Sequence, residues 1–482
     1  MIRHFFLDKT NSIIKKSEQN IGLNPILNVS YGADIMRGLI HFDLCEIKSL
    51  ISDKTFANRD KLTFTLKMTN CSSVDGYPYN KQLIIGINNT AYRATSFDLM
   101  LFKLPRHFDA GKGFDFVSDM WVHDNSSFSK EASNWYCSTT NLMWNGELKP
   151  KSLKEVEGGI YPQTQLIEEY EKYLNGDESI VVGSQHFDFG NENLSIDITK
   201  YVWDVMDSKY DDNFGLCLSF TPQYEEMEDE FIRYVGFFTD NTNTFFHPYV
   251  EVSYDEYIRD DRESFTNGKD NRLYLYVSDD GIPTNLDKIP MCLIDDKTFP
   301  VKQATKGVYY AEIKALDVEL MDESVNYDIW SEIALNGVIN DDVELEFVAN
   351  KKSRKLMIGD NSNIKKNLVP SFYGINDDEN ITQGEVREVC VDFREKYNTD
   401  KKILIDSAEY RIYVKDGNRE FDVIPYQPVE KSFLNNFFMV YTTDLIPNQY
   451  FVDVKINIGR ETKYYRGALR FKVVSNVTER YQ

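Results

Sequence analysis

Six histidines, six cysteines and 77 acidic side chains are the groups in this 482-residue sequence with the most chemical potential. The histidines (His4, His41, His107, His123, His186, His247) never fall at the HxH or HExxH spacing that turns two imidazoles toward one metal. No cysteine stands in a CxxC, and no Cys-His pair is close in sequence. A serine nucleophile would need a GxSxG elbow and a nucleotide would need a Gly-rich phosphate loop; the sequence has neither. Glycoside hydrolysis needs two carboxylates at a defined separation. Among 77 acids some pair always meets that distance, so abundance argues nothing. Asp211-Asp212-Asn213 and Glu225-Glu226-Met227-Glu228-Asp229-Glu230 are oxygen-rich enough to hold calcium, yet neither follows an EF-hand loop. They read as solvated acidic loops. The expectation is a non-enzymatic chain with no cofactor.

Aromatic side chains offer a second kind of chemistry, recognition by contact. Trp121, Trp135 and Trp144 carry the flat rings on which a sugar would stack. Trp121 lies in a long insertion and is the expected exposed contact. The pairs Tyr309-Tyr310, Phe437-Phe438 and Tyr464-Tyr465 put one ring on each side of a strand. The outward member packs across strands or anchors a partner, and Tyr310, Phe438 and Tyr465 are the expected anchors.

Composition bounds these readings. Hydrophobic residues make up 42% of the chain and aromatics 14%, enough for sizeable cores. Abundant Phe (31) and Tyr (30) favour strands over helices. A formal charge of −23 repels phosphate backbones, and the strongest basic stretch, Lys351, Lys352, Arg354 and Lys355, reads as a solvated turn. Nucleic acid is therefore not an expected ligand. The cysteines (Cys45, Cys71, Cys137, Cys217, Cys292, Cys390) are scattered singly and read as reduced core residues. The start of the chain lacks a signal-peptide apolar stretch and no run reaches membrane-spanning length, so the expectation is assembly in a cytoplasm without a membrane partner.

Strands must position these side chains. Period-two alternation runs through Leu62 to Met68, Arg272 to Val277, Val343 to Val348, Tyr410 to Val414 and Phe451 to Ile458. Turn pairs separate such runs: Asp75-Gly76, Asn267-Gly268, Asp280-Gly281, Asn336-Gly337 and Asp416-Gly417. Helical periodicity appears from Gln165 to Leu174 and again after Asp197, where Ile198, Val202, Val205 and Met206 share a face. Asp197 or Thr199 is the expected cap of that second helix. Polar joints at Glu256 to Asn271 and at Asn361 to Asn367 divide the chain into 1–256, 257–362 and 363–482. The last two have the length of an immunoglobulin-like sandwich.

The first section carries an ordered set of motifs. They include Met36-Arg37-Gly38-Leu39-Ile40-His41-Phe42-Asp43-Leu44, Asn134-Trp135, Trp144 and Ile196-Asp197-Ile198-Thr199. The set closes on Phe214-Gly215-Leu216-Cys217-Leu218, then His247-Pro248-Tyr249-Val250-Glu251-Val252. This order resembles the DNRLRE-type jelly-roll domains, relatives of carbohydrate-binding modules, over roughly residues 20 to 254. The resemblance implies a jelly roll in which Trp135 and Trp144 are core residues and a structural calcium is conceivable. Arg37 on its strand suggests a structural pairing, and the insertions at Thr69 to Asp119 and after Lys149 suggest partner contacts.

The C-terminal run, with Arg411-Ile412-Tyr413-Val414-Lys415-Asp416-Gly417, Phe437-Phe438-Met439-Val440-Tyr441 and Tyr464 to Gly467, resembles tail-associated proteins of crAss-like Bacteroidetes phages. That implies a virion subunit of a tail or neck, recurring in a symmetric ring and contacting other virion proteins. The combined expectation is all-β: a jelly-roll sandwich with short helical insertions, then two immunoglobulin-like β-sandwiches. A glycan- or receptor-binding adhesin on the same jelly roll is the alternative.

Overall fold

The computed structural model describes residues 2–71, 91–113, 131–208, 213–227, 229–254, 257–262, 265, 267–315, 317, 320, 325–349, 368–395, 398–402, 407–417, 419–431, 436–442, 445–458 and 461–474. Trp121, the basic stretch from Lys351, the Asp75-Gly76 turn, Asp211-Asp212, Glu228 and the joint at 361–367 lie outside the described residues. Within them the protein is all-β, with a few short helices. Contacts group it into two compact units. One is His4–Glu46 with Thr63–Ser253, and the other is Met1–Arg3, Ile47–Leu62 and Tyr254–Gln482. Strand ladders are more local: the sheets draw on residues 2–254, 271–348 and 368–474 separately.

In the first unit an eight-stranded sheet has at its centre Ile26–Gly32, Met36–His41, Leu216–Phe220 and Phe97–Lys103. These strands are buried at nearly every residue, Asn28, Ser30 and Arg37 included, because both faces of the sheet are covered. Met100, Phe102, Leu39, Cys217 and Ile13 pack beneath Trp135, Tyr136, Trp144, Ile160 and Leu166. Leu99, Leu101, Leu216, Leu218 and Phe220 alternate with them and are fully buried as well. The excursion after Lys149, expected to build partner contacts, thus roofs a sheet face with the helix Gln163–Leu174. The second helix, Thr199–Asp207, is bounded by Ile198, and the Asp197 carboxylate accepts the Thr199 N–H at 2.8 Å.

In the second unit the strands Asn271–Tyr276, Val308–Ile313 and Val301–Thr305 form one sheet, and Lys297–Phe299, Met291–Ile294, Val325–Ser331 and Val343–Val348 another. Leu273, Leu275, Tyr309, Ala311, Cys292, Ile294, Trp330 and Phe347 fill one core between them. Residues 368–474 supply two five-stranded sheets whose interior includes Val389, Val391, Ile412, Val452, Val454, Ile456 and Phe471. Four of the six cysteines, Cys71, Cys137, Cys217 and Cys292, are buried thiols, whereas Cys45 is exposed.

Among the described residues three hairpins have two-residue turns with both central residues at positive φ, one of them Asp295-Asp296 (50°, 59°) between Met291–Ile294 and Lys297–Phe299. Asp280-Gly281 (48°, 81°) joins Ser278–Asp279 to Ile282–Pro283, and Asn336-Gly337 (52°, 78°) joins Ala334–Leu335 to Val338–Ile339. That geometry matches strand twist and favours Asn or Asp before Gly.

Candidate functional site

Alternation within Asn271–Tyr276 and Val308–Ile313 explains where the aromatic pairs go. Tyr309 enters the module's own core, whereas Tyr310 emerges on the opposite face with Tyr274. That second face is also covered. Ile258, Tyr274, Ala304, Val308, Tyr310 and Phe437 form a separate apolar cluster, with Cys390 and Met439 packed against it. Tyr310 stacks on Tyr274 at 5.3 Å and carries the Arg272 guanidinium over its ring at 4.7 Å. The expectation that Tyr310 and Phe438 anchor a partner is corrected: they are 2% and 1% exposed, and Phe438 stacks on Tyr410 at 4.1 Å. Tyr310 is buried by the next module, whose Phe437 meets it, whereas Phe438 packs on Tyr410 within its own module. Tyr465 is half-buried, its hydroxyl donating to the Leu368 carbonyl at 2.7 Å, while Tyr464 is the exposed member of its pair.

Beside this cluster lies a cavity of about 950 Å³, within the second unit. Tyr274, Tyr276 and Val308 form one wall, and Phe437, Met439 and Tyr441 another. Arg3 also lines it, with its guanidinium 5.5 Å from the Tyr441 ring centre. Acidic groups line the same space: Asp260, Glu344, Glu346, Glu388 and Glu430. None of the described histidines does.

The segment from Tyr257 to Arg262 was expected to be part of a polar joint. In the structure Asp260, Asp261 and Arg262 are each only 4% exposed, because each charge finds a partner or the edge of the cavity. Arg259 pairs with Asp261 at 3.0 Å. The Asp261 carboxylate also accepts the Arg272 N–H at 2.9 Å. Arg262 grips Asp328 through both its terminal nitrogens, with Nη2 to Oδ2 at 2.8 Å, and donates to the Tyr274 carbonyl at 3.0 Å. Trp330 Nε1 donates to Asp328 Oδ2 at 2.6 Å, and Asp328 has no exposed surface. Main-chain bonds tie the segment to the next module: Asp260 N donates to Lys431 O at 2.9 Å, and Lys431 N to Ile258 O at 3.1 Å.

Burial sets the ionisation of the cavity acids. It pushes the Asp260 carboxyl up to about 7, with Asp328 and Asp261 adding to a rise that Arg262 opposes. It pushes Glu430 up to about 7 as well, Glu388 adding to the effect. Tyr441 is pushed up to about 12, also by burial. A carboxyl held above its unfolded value keeps its proton in the folded state after the unfolded chain has lost it. Stability from these groups is therefore present below about 4 and is lost as pH rises toward about 7. Urea titrations between pH 5 and 8 should show less of this decline in Asp260→Asn than in the parent. An unchanged slope would contradict the assignment.

The first unit holds a comparable buried pair. Arg37 shares a strand face with Leu39, and its guanidinium donates to Glu225 through Nε at 3.0 Å and Nη2 at 2.6 Å. It also donates to the Gly159 carbonyl and lies 5.1 Å over the Trp135 ring. Glu225 is 7% exposed, so this end of the acidic run expected to be solvated is a core counterion. Asn213, in the other oxygen-rich loop, is consumed by bonds to Tyr201 and the Phe42 carbonyl. Among the described residues no three His, Cys, Asp or Glu side chains converge as a metal-ligand set. Trp135 and Trp144 are 4% exposed, each donating through Nε1 to a backbone carbonyl.

Sequence reasoning passed over Asp260, Arg262, Asp328 and Glu430. One signal for Asp328 was available: it stands two residues before Trp330, and an acid on the inward side of a strand requires a buried cation or donor.

No protein-family model matches the chain, and no curated protein matches it. Solved structures align weakly. An engineered protein aligns at 8% identity and a TM-score of 0.17, over 26% of this chain and 22% of its own. The Clostridium thermocellum CbhA fibronectin(III)-like modules align at 12% identity and 0.14, over 47% of this chain and 95% of theirs. The N-terminal Ig1-2 module of Drosophila receptor protein tyrosine phosphatase DLAR aligns at 11% identity and 0.15, over 46% and 96%. The chain thus spans about a fifth of the engineered protein and nearly all of the two module pairs. Alignments this loose carry no functional inference.

Proposed function

We propose that this chain is a non-enzymatic structural subunit of a phage virion, a tail or neck component that packs in a ring against other virion proteins. The finer architecture we infer is a jelly roll followed by two immunoglobulin-like sandwiches. Pairs of sheets in the last two sections, each about the size of such a domain, support that reading.

The observation that carries the functional reading is the placement of exposed apolar side chains. In the first unit Leu148, Leu174 and Phe189 are 64–78% exposed. In the second, Ile282, Val338 and Ile339 are 60–80% exposed on the tips of the two short hairpins. Asn336 Nδ2 donates to Asp279 Oδ2 at 3.3 Å, which sets those hairpins side by side. Apolar groups on several separate elements suit an assembly subunit, whereas sugar binding favours one groove with parallel aromatic planes. Burial of Trp135 and Trp144 removes two rings that a glycan site would have used.

The hairpins give the direct test. Val338→Lys with Ile339→Lys should change folding stability by less than about 0.5 kcal/mol, because both side chains already face water. The same double variant should lose self-association in light scattering and incorporation into particles. Unaltered association and incorporation would remove these hairpins from the interface. A chain that stays monomeric, is absent from particles and binds glycans would overturn the proposal.

A further inference from the structure

The cavity beside Tyr274 carries an inference that does not depend on the assembly reading. We propose that it is a binding site for an organic cation, a protonated amine on an apolar stem, with Asp260 as the counterion.

The argument begins with an unfinished hydrogen bond. Asp260 is 4% exposed and lines the cavity. One carboxylate oxygen accepts the Arg262 N–H at 3.1 Å, while Oδ2 has no hydrogen-bond partner among the described residues. A buried oxygen without a donor costs free energy that a donating ligand restores. The cations in the lining are already engaged, Arg3 over the Tyr441 ring among them. Arg262 is held by Asp328, and Lys306 lies 3.6 Å from Asp53. Acids therefore outnumber unengaged bases in the lining, which favours a positive guest.

The walls specify the rest of the ligand. Tyr276, Phe437 and Tyr441 present aromatic surface, with Tyr274 fully buried behind them, and Met439 and Val308 present aliphatic surface. Aromatic faces attract cations as well as apolar stems. Arg3 over Tyr441 already makes one such contact at this cavity. A volume of about 950 Å³ lies within the span of small-molecule sites.

The charged groups around Asp260 set the pH dependence. Arg262, Asp261 and Asp328 act on it from its own segment and from strand Val325–Ser331. The Tyr276 phenol, 44% exposed at the edge of this space, stays neutral, its ionisation opposed by partial burial and by Asp260. Glu388, Glu430, Arg3 and Lys306 line the same space from other elements. The amine keeps its proton throughout, so binding should strengthen as pH rises from 6 to 8 and Asp260 and Glu430 ionise, and Asp260→Asn isolates the share of Asp260.

The experiment titrates the full chain by calorimetry with 2-phenylethylamine and with 2-phenylethanol, which differ only in the ammonium. The amine should bind about tenfold more tightly, as a charge-assisted bond in a buried site implies. Asp260→Asn should erase the preference, and Glu344→Gln at the rim should leave it largely intact. Acetyl-phenylalanyl-lysine amide extends the test: tighter binding than the amine places the cation on a partner polypeptide, and weaker binding places it on a free amine. Equal affinity for amine and alcohol, absence of binding by both, or an amine preference that survives Asp260→Asn would overturn the assignment. Should Asp260→Asn not fold, the amine-to-alcohol ratio across pH 6 to 8 in the parent decides: a rising ratio supports the site and a flat one refutes it.

Discussion

Asp328→Ala should destabilise the second unit by about 3–5 kcal/mol, the usual penalty for stranding a buried charge. The substitution leaves the Arg262 guanidinium, 4% exposed, with only the Tyr274 carbonyl among its two principal partners. It also strips the acceptor from Trp330 Nε1 in the middle of the core. Two buried donors lose their carboxylate acceptor at once, so the effect should exceed that of Arg272→Ala, whose partner Glu312 is partly exposed. Urea denaturation measures the total. Hydrogen exchange should place the loss in Asn271–Tyr276 and Val325–Ser331, the strands that the pair clamps. A change below about 1 kcal/mol would mean that the pair contributes no more than a surface salt bridge.

Arg37→Ala should have an effect of the same order in the first unit, about 3–5 kcal/mol. Glu225 would be left buried, and the guanidinium that ties together the Gly159 carbonyl, the Trp135 ring and the sheet would be gone. Arg37→Lys should rescue little, because an ammonium cannot reproduce the two-pronged bond to Glu225. Near-ultraviolet circular dichroism should report loosening around Trp135 and Trp144, the two indoles in this core. Full rescue by lysine would show that charge alone matters there.

Most strand elements were legible because their periodicity is local. Leu62–Met68 and Val343–Val348 occur with the bounds that alternation predicts, and the Asp280-Gly281 and Asn336-Gly337 turns occur where their chemistry demands positive φ, whereas Asn267 and Asp416 do not adopt it. The two helices start within two residues of the predicted positions. Buried charges were harder to see. Tyr257 to Arg262 looks like a solvated joint, since nothing local reveals that Asp328, 66 residues on, and Lys431 complete its bonds. Glu225 likewise reads as part of an acidic run, its partner lying 188 residues away.

The aromatic pairs failed for a related reason. Alternation correctly assigns Tyr309 and Tyr310 to opposite faces of one strand, but it does not say whether the second face meets water or another module. Phe437 settles that by packing there. The residues left exposed, Ile282, Val338 and Ile339, are aliphatic side chains on two-residue strands too short to stand out in a sequence.

If the proposed virion role holds, cross-linking mass spectrometry on particles purified from cells that make this chain tests it most directly. The account predicts that the chain is recovered with the tail or neck proteins, with intermolecular cross-links from lysines near the hairpins, Lys288 and Lys306 among them. Absence of the chain from purified virions, with the isolated protein monomeric at every concentration, would contradict it.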